Sequence, residues 1–136
     1  MKLLTKDSDY AIRTLMHLAL HPHEFISTKQ ISDGQGMPYQ FLRRIVQKLI
    51  SHNLVESKEG IRGGIKIKRE PEDIKIIDVM QIFQGPVQLS ACMFRNKLCE
   101  NRANCVLRRE LQRIESIVRN EFRDVSIQKL INGIKG

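Results

Sequence analysis

The sequence lacks an apolar run near the roughly 20 residues that a membrane span requires, so no membrane partner is expected. Its opening stretch, Met-Lys-Leu-Leu-Thr-Lys-Asp-Ser-Asp, has neither an apolar h-region nor a cleavage site. The chain is therefore expected to work in the cytoplasm. There is no internal repeat and no low-complexity tract. Nothing pairs a nucleophile with a base, no two acids share a plausible site, and no glycine loop has the setting that phosphate binding needs. The glycines of Gly60-Ile61-Arg62-Gly63-Gly64 join two strand-like runs, so turn geometry accounts for them. An enzyme is not expected.

Cysteine is scarce, with three in 136 residues. All three fall in one short stretch, Cys92, Cys99 and Cys105, spaced C-x6-C-x5-C and without helical or strand periodicity. An odd count cannot pair off as disulfides, and in a reducing compartment clustered thiols are more often ligands. Thiolates are soft donors that suit iron–sulfur clusters and zinc, and three of them leave a four-ligand site one short. The histidines, His17, His21, His23 and His52, lie far from this stretch in sequence. A structural zinc site and unliganded thiols remain open beside a cluster.

Positive charge is abundant. The formal net charge is +8 and the pI about 9.7, a balance that favours an anionic partner such as nucleic acid. Between Tyr39 and Arg69 there are eight basic residues against two acids, which places most of the excess in one segment. The elements of that half are legible in order. Apolar spacing predicts a buried helix from Asp9 to about His21 and a short one from the Ser27-Thr28 cap through Ile31. A turn at Asp33–Gly36 follows, then a third helix from Pro38 to about His52. This third helix carries Leu42, Ile45, Val46, Leu49 and Ile50 on one face. Its other face carries Tyr39, Gln40, Arg43, Arg44, Gln47, Lys48 and Ser51. Strand-like runs at 55–57 and 65–69 flank the glycine turn.

That order is a winged helix-turn-helix, a mainly α fold with a small β-hairpin wing. Tyr39, Gln40, Arg43, Arg44 and Lys48 are expected to meet bases and phosphates in the major groove, and Arg62 at the wing tip a minor groove. Thr28 and Gly63 complete the expected DNA-facing set. The DNA-binding unit is placed at 1–75. The remainder, 76–136, holds a helix at about 75–83, the cysteine loop (about 90–106), a long helix from Val106 to Phe122 and a short tail helix over 126–134. The narrow stripe Leu107, Leu111, Ile114, Val118 and Phe122 predicts a partner helix, with the same helix of a second copy favoured over packing within its own domain.

Together these motifs resemble the family of bacterial winged-helix iron–sulfur regulators that includes IscR, NsrR and RirA. The resemblance covers nearly the whole chain. It rests on Leu4-Thr5-x-x-x-Asp9-Tyr10-Ala11-Ile12-Arg13, the basic helix from Pro38 to Leu49, the wing Gly60–Ile65, and three cysteines just before a long helix. It implies a homodimeric DNA-binding transcription regulator, usually a repressor, whose operator affinity follows an iron–sulfur cluster that responds to nitric oxide, iron or redox state. IscR-like members place a histidine three residues after the last cysteine. Here that residue is Arg108, which cannot serve as a ligand. The ligand pattern is closer to NsrR, which implies Cys92, Cys99, Cys105 and, from the other subunit, Asp9. Asp7 and Glu100 are competing carboxylates, and a first-turn acid favoured by the helix dipole is the plainer account of Asp9. A 4Fe-4S cluster is favoured and 2Fe-2S possible. The alternatives are a cluster-free or zinc-bound regulator with a thiol redox switch and, more remotely, an iron–sulfur electron carrier.

Overall fold

Helix α1 (Lys6–Leu20) begins a turn earlier than its apolar pattern suggests, because Thr5 caps it, its side-chain oxygen accepting from the Ser8 amide at 3.3 Å. The computed structural model describes residues 2–89 and 105–135. Ala11, Thr14, Leu15 and Leu18 of α1 have no exposed surface, and Thr14 satisfies its hydroxyl by donating to the Tyr10 carbonyl at 2.8 Å.

Helix α2 (Thr28–Gln35) opens with a capping box between Ser27 and Gln30. It runs through Asp33 and Gly34, where a turn was expected, and stops at Gly36. Gly36 takes the left-handed conformation (φ 68°) that a helix end of this kind needs. The Ser32 hydroxyl then donates to the Met37 carbonyl and fixes the corner into α3 (Tyr39–Ser51). Leu42, Ile45, Val46 and Leu49 of α3 are buried, as their spacing predicts.

Strands β1 (Val55–Lys58) and β2 (Gly64–Ile67) pair antiparallel, Val55 opposite Ile67 and Lys58 opposite Gly64. The return strand ends at Ile67, short of the expected Arg69, as the Lys68 amide turns to the Leu54 carbonyl at 3.0 Å. The far edge of β2 is also paired: Ile26 and Ile65 exchange backbone bonds of 2.9 and 2.8 Å. Gly64 sits at φ 150°, where a Cβ would run into the Ile26 carbonyl, so the wing's seat on the α1–α2 connection requires glycine.

A 3-10 turn (Pro71–Asp73) leads into α4 (Ile76–Gln84), and α5 (Val106–Arg123) and α6 (Ile127–Lys135) follow. The starts of α4 and α6 are tied by Ile76 N–H to the Val125 carbonyl and Ile127 N–H to the Ile74 carbonyl, both 2.9 Å. The tail helix is part of the main core: Ile127 and Ile131 are buried in the cluster that holds α1 and α3. Helix α5, by contrast, buries none of its residues in this chain. The architecture is mainly α with a two-stranded wing, in the order expected of a winged helix-turn-helix followed by a long helix.

Two consequences follow for stability. Ile127→Ala empties a fully enclosed site and should cost about 2–5 kcal/mol, read as a lower urea midpoint. His17 is half-buried on α1, and burial, with the ring of His21 at 5.3 Å, holds its imidazole below the usual 6.5. The unfolded chain then takes up the proton first, so stability is retained above pH 6.5 and falls as pH drops through that value. Thermal melts should show this loss, and His17→Gln should shrink it.

Candidate nucleic-acid interface and cysteine segment

The outward face of α3 carries Tyr39, Gln40, Arg43, Arg44, Gln47 and Lys48, all exposed. Several cations here are mounted on rings. The Arg44 guanidinium lies 5.1 Å from the centre of the Phe41 ring, and Phe41 meets Tyr10 edge-on at 5.3 Å. Lys6 Nζ sits over both rings, 5.6 Å from Tyr10 and 5.5 Å from Phe41. Lys29 Nζ stands 6.0 Å from the Tyr39 ring, and Lys48 Nζ 5.4 Å from Phe83. Such contacts hold flexible cations near one place at small cost and leave their charge available to phosphate.

Lys6 and Lys29 were not legible as part of this surface. They precede the third helix by many residues, and only the packing of α1 and α2 brings them beside Tyr39 and Phe41. Thr28 is half-buried at the first position of α2, with Ser27 rather than Thr28 as the cap.

The wing tip is a tight turn closed by the Gly63 amide donating to the Gly60 carbonyl at 3.0 Å. Ile61 and Arg62 occupy its centre, and both are exposed. A Cβ on Gly63 would strike the Lys58 carbonyl, so this position is also restricted to glycine. At the base of the wing Phe25 lies under two lysines, Lys58 Nζ at 5.7 Å and Lys66 Nζ at 5.4 Å. Lys66 also faces Glu56 across the strands at 3.9 Å.

Of the proposed cluster ligands, Cys92 and Cys99, together with Glu100, lie outside the described residues. Cys105 is half-buried and caps α5, its Sγ accepting from the Arg108 amide at 3.4 Å. That bond fixes the sulfur at the first turn of α5, where the described chain resumes after the other two cysteines. Asp9 is partly exposed and accepts from Arg13 Nε at 3.0 Å across one helical turn. A surface pair of this kind is worth at most about 0.5 kcal/mol, so it leaves the carboxylate exchangeable. Among the described residues no three His, Cys, Asp or Glu side chains converge into a metal-holding group.

The last turn of α4, just before the cysteine segment, has an arrangement that the sequence did not disclose. Gln84 Oε1 accepts from the Ser8 hydroxyl (2.7 Å), the Thr5 amide (3.1 Å) and the Thr5 hydroxyl (3.2 Å). Its Nε2 donates to the Leu3 carbonyl at 2.8 Å. One amide therefore grips the capped start of α1, the turn that carries Asp9. Its neighbour Phe83 lies against Lys48 of α3. Beyond Gly85, the Leu89 amide donates to Glu115 of α5 at 2.8 Å. The described residues on either side of the cysteine segment are thus both held, by Gln84 and Leu89 before it and by the Cys105 cap after it.

Comparison with known proteins agrees with this architecture. Residues 4–133 match the model of the Rrf2 family, described as iron-dependent transcriptional regulator. The regulator NsrR of Shouchella clausii is 36% identical over 93 residues, 68% of this chain and 62% of that protein. NsrR of Bacillus subtilis is 32% identical over 110 residues, 79% of this chain and 75% of that protein. Among solved structures, CymR, the global cysteine regulator of B. subtilis, superposes with a TM-score of 0.82 at 22% identity, covering 97% of this chain and 98% of that one. T. potens IscR does so with a TM-score of 0.78 at 20% identity, covering 98% and 88%. These two likenesses establish the fold.

Arg44→Ala removes an outward cation without touching the core. It should weaken binding to duplex DNA and lower the slope of log affinity against log salt by about one. Fluorescence anisotropy across a salt series reads both.

Proposed function

The chain belongs to the Rrf2 family, whose members are transcription regulators and not enzymes, and on that premise we propose a homodimeric, cluster-sensing DNA-binding regulator. Repression is the expected sense. Cys92, Cys99 and Cys105 would hold an iron–sulfur cluster, with Asp9 of a second copy as the fourth ligand and a 4Fe-4S form favoured over 2Fe-2S. The observation that carries this reading is how the described residues flanking the cysteine segment are held: Gln84 of α4 grips the start of α1 before it, and the Cys105 thiol caps α5 at its end.

A bound cluster would supply a linkage that nitric oxide, oxygen or iron loss can dismantle. The chain's own residues supply the rest. Gln84 transmits the position of the segment's entry to the first turn of α1. Tyr10 and Phe41 carry α1's position to α3, while Phe83 reaches Lys48 directly. Tyr39, Gln40, Arg43, Arg44 and Lys48 face the operator's major groove, and Arg62 and the close-packed Gly63 present the wing.

Dimerisation is supported by α5. Leu107 (67% exposed), Ile114 (38%) and Ile117 (50%) leave an apolar stripe uncovered along an 18-residue helix. A second copy of the same helix would cover such a stripe. It would also give two recognition helices the two-fold relation that paired half-sites require.

The test is anaerobic purification followed by iron and sulfide counting on wild type and Asp9→Ala. A brown wild type containing iron and sulfide is expected, with the variant losing its cluster more readily to air or nitric oxide. An unchanged cluster removes Asp9 from the site. A colourless protein carrying zinc, or no metal at all, supports the thiol-switch alternative.

A further inference from the structure

Large apolar side chains left in water follow a pattern in this molecule. Four of those among the described residues lie on α5 and are accounted for by the proposed dimer. Leu4 and Ile134 lie near the chain ends. The remaining two are Tyr39, at the first position of α3, and Ile61, at the centre of the wing turn, with relative exposures of 39% and 106%. Both stand on the elements that the DNA-binding reading uses.

A single exposed isoleucine is ordinary on a protein surface. This one differs in how it is mounted. Turn centres favour Gly, Asn, Asp and Pro, and a β-branched residue has no local reason to be there. The turn cannot fold back to shelter it. The Gly63–Gly60 bond closes the tip, and neither Gly63 nor Gly64 has room for a side chain. Strand β2 is bonded on both edges, to β1 and to Ile26. The wing therefore holds an apolar side chain at full extension, next to the exposed cation of Arg62.

We propose that Ile61 seats between the deoxyribose walls of the operator's minor groove and makes the wing select A·T pairs there. The proposal rests on the DNA-binding reading above and adds a residue and a base preference to it. The minor groove is about 6 Å wide, so an isoleucine side chain contacts both walls. The guanine 2-amino group projects into the groove floor and takes up the space the side chain needs. A·T tracts lack that group, and their narrow grooves carry the stronger negative potential that attracts Arg62. Wall contact and cation attraction thus ask for the same sequence.

The experiment selects duplexes from a random-sequence pool with full-length wild type, Ile61→Ser and Ile61→Leu. Urea midpoints first show that the exposed substitutions leave the fold intact. Wild type and Ile61→Leu should enrich a two-fold motif with A·T pairs flanking the inner half-site bases. Ile61→Ser should enrich the same half-sites with its flank preference reduced about tenfold, or 1.4 kcal/mol. Inosine·cytosine pairs, which lack the 2-amino group, placed at those flanks should bind wild type as A·T does. The proposal is overturned if Ile61→Ser keeps the A·T flanks, or if inosine·cytosine binds wild type no better than guanine·cytosine. A wild type that enriches no motif overturns the DNA-binding reading and this proposal together. An enriched half-site with indifferent flanks overturns this proposal alone.

Discussion

Helix α1 has little free surface along its buried length, and the rest of the fold depends on that. Helices α3, α4 and α6 and strand β2 all pack against it. Ala11, Leu15 and Leu18 are fully enclosed, so their neighbours cannot shift independently without opening a gap in a close-packed interior. Helix α3 and the helix that leads to the cysteines are thereby positioned by the same element.

Where α1 begins, the constraint changes from apolar to polar. Ser8 is fully buried, and its hydroxyl is satisfied by Gln84, which also holds Thr5 and the Leu3 carbonyl. A buried hydroxyl left unpaired costs about 1–3 kcal/mol, so this bracket should stay closed while α4 ends where it does. The Asp9–Arg13 pair beside it is different in kind: exposed, local and easily exchanged. The start of α1 therefore combines a firm grip on its own chain's α4 with a carboxylate held only by a local pair across one helical turn. Under the proposed function, that division suits a site shared between two copies, in which ligand exchange is cheap and the link to α4 is retained.

Much of this was legible in the sequence, for identifiable reasons. The α3 stripe and the wing glycines each repeat one class of residue at a spacing with physical meaning. The end of helix α2 is not legible because it is decided by the left-handed Gly36, while Gly34 two residues earlier looks the same on the page. The tail helix showed an apolar face, but nothing in its residues says that α1 covers it. Gln84 was invisible. A lone glutamine has no pattern, and its partners lie 76 to 81 positions away. Lys6 and Lys29 were missed for the same reason, since only tertiary packing puts them beside α3. Asp9 could be singled out through family resemblance, because a first-turn acid is otherwise ordinary.

On the proposed function, the cysteine segment controls DNA affinity through the grip of Gln84 on α1. The direct measurement is operator affinity before and after cluster removal by nitric oxide, in wild type and Gln84→Ala, each first checked for iron content and a folded urea transition. In wild type the two affinities should differ by about tenfold or more, equivalent to 1.4 kcal/mol. In Gln84→Ala the ratio should fall towards one while nonspecific DNA binding is retained. A variant that keeps the wild-type ratio would contradict the account.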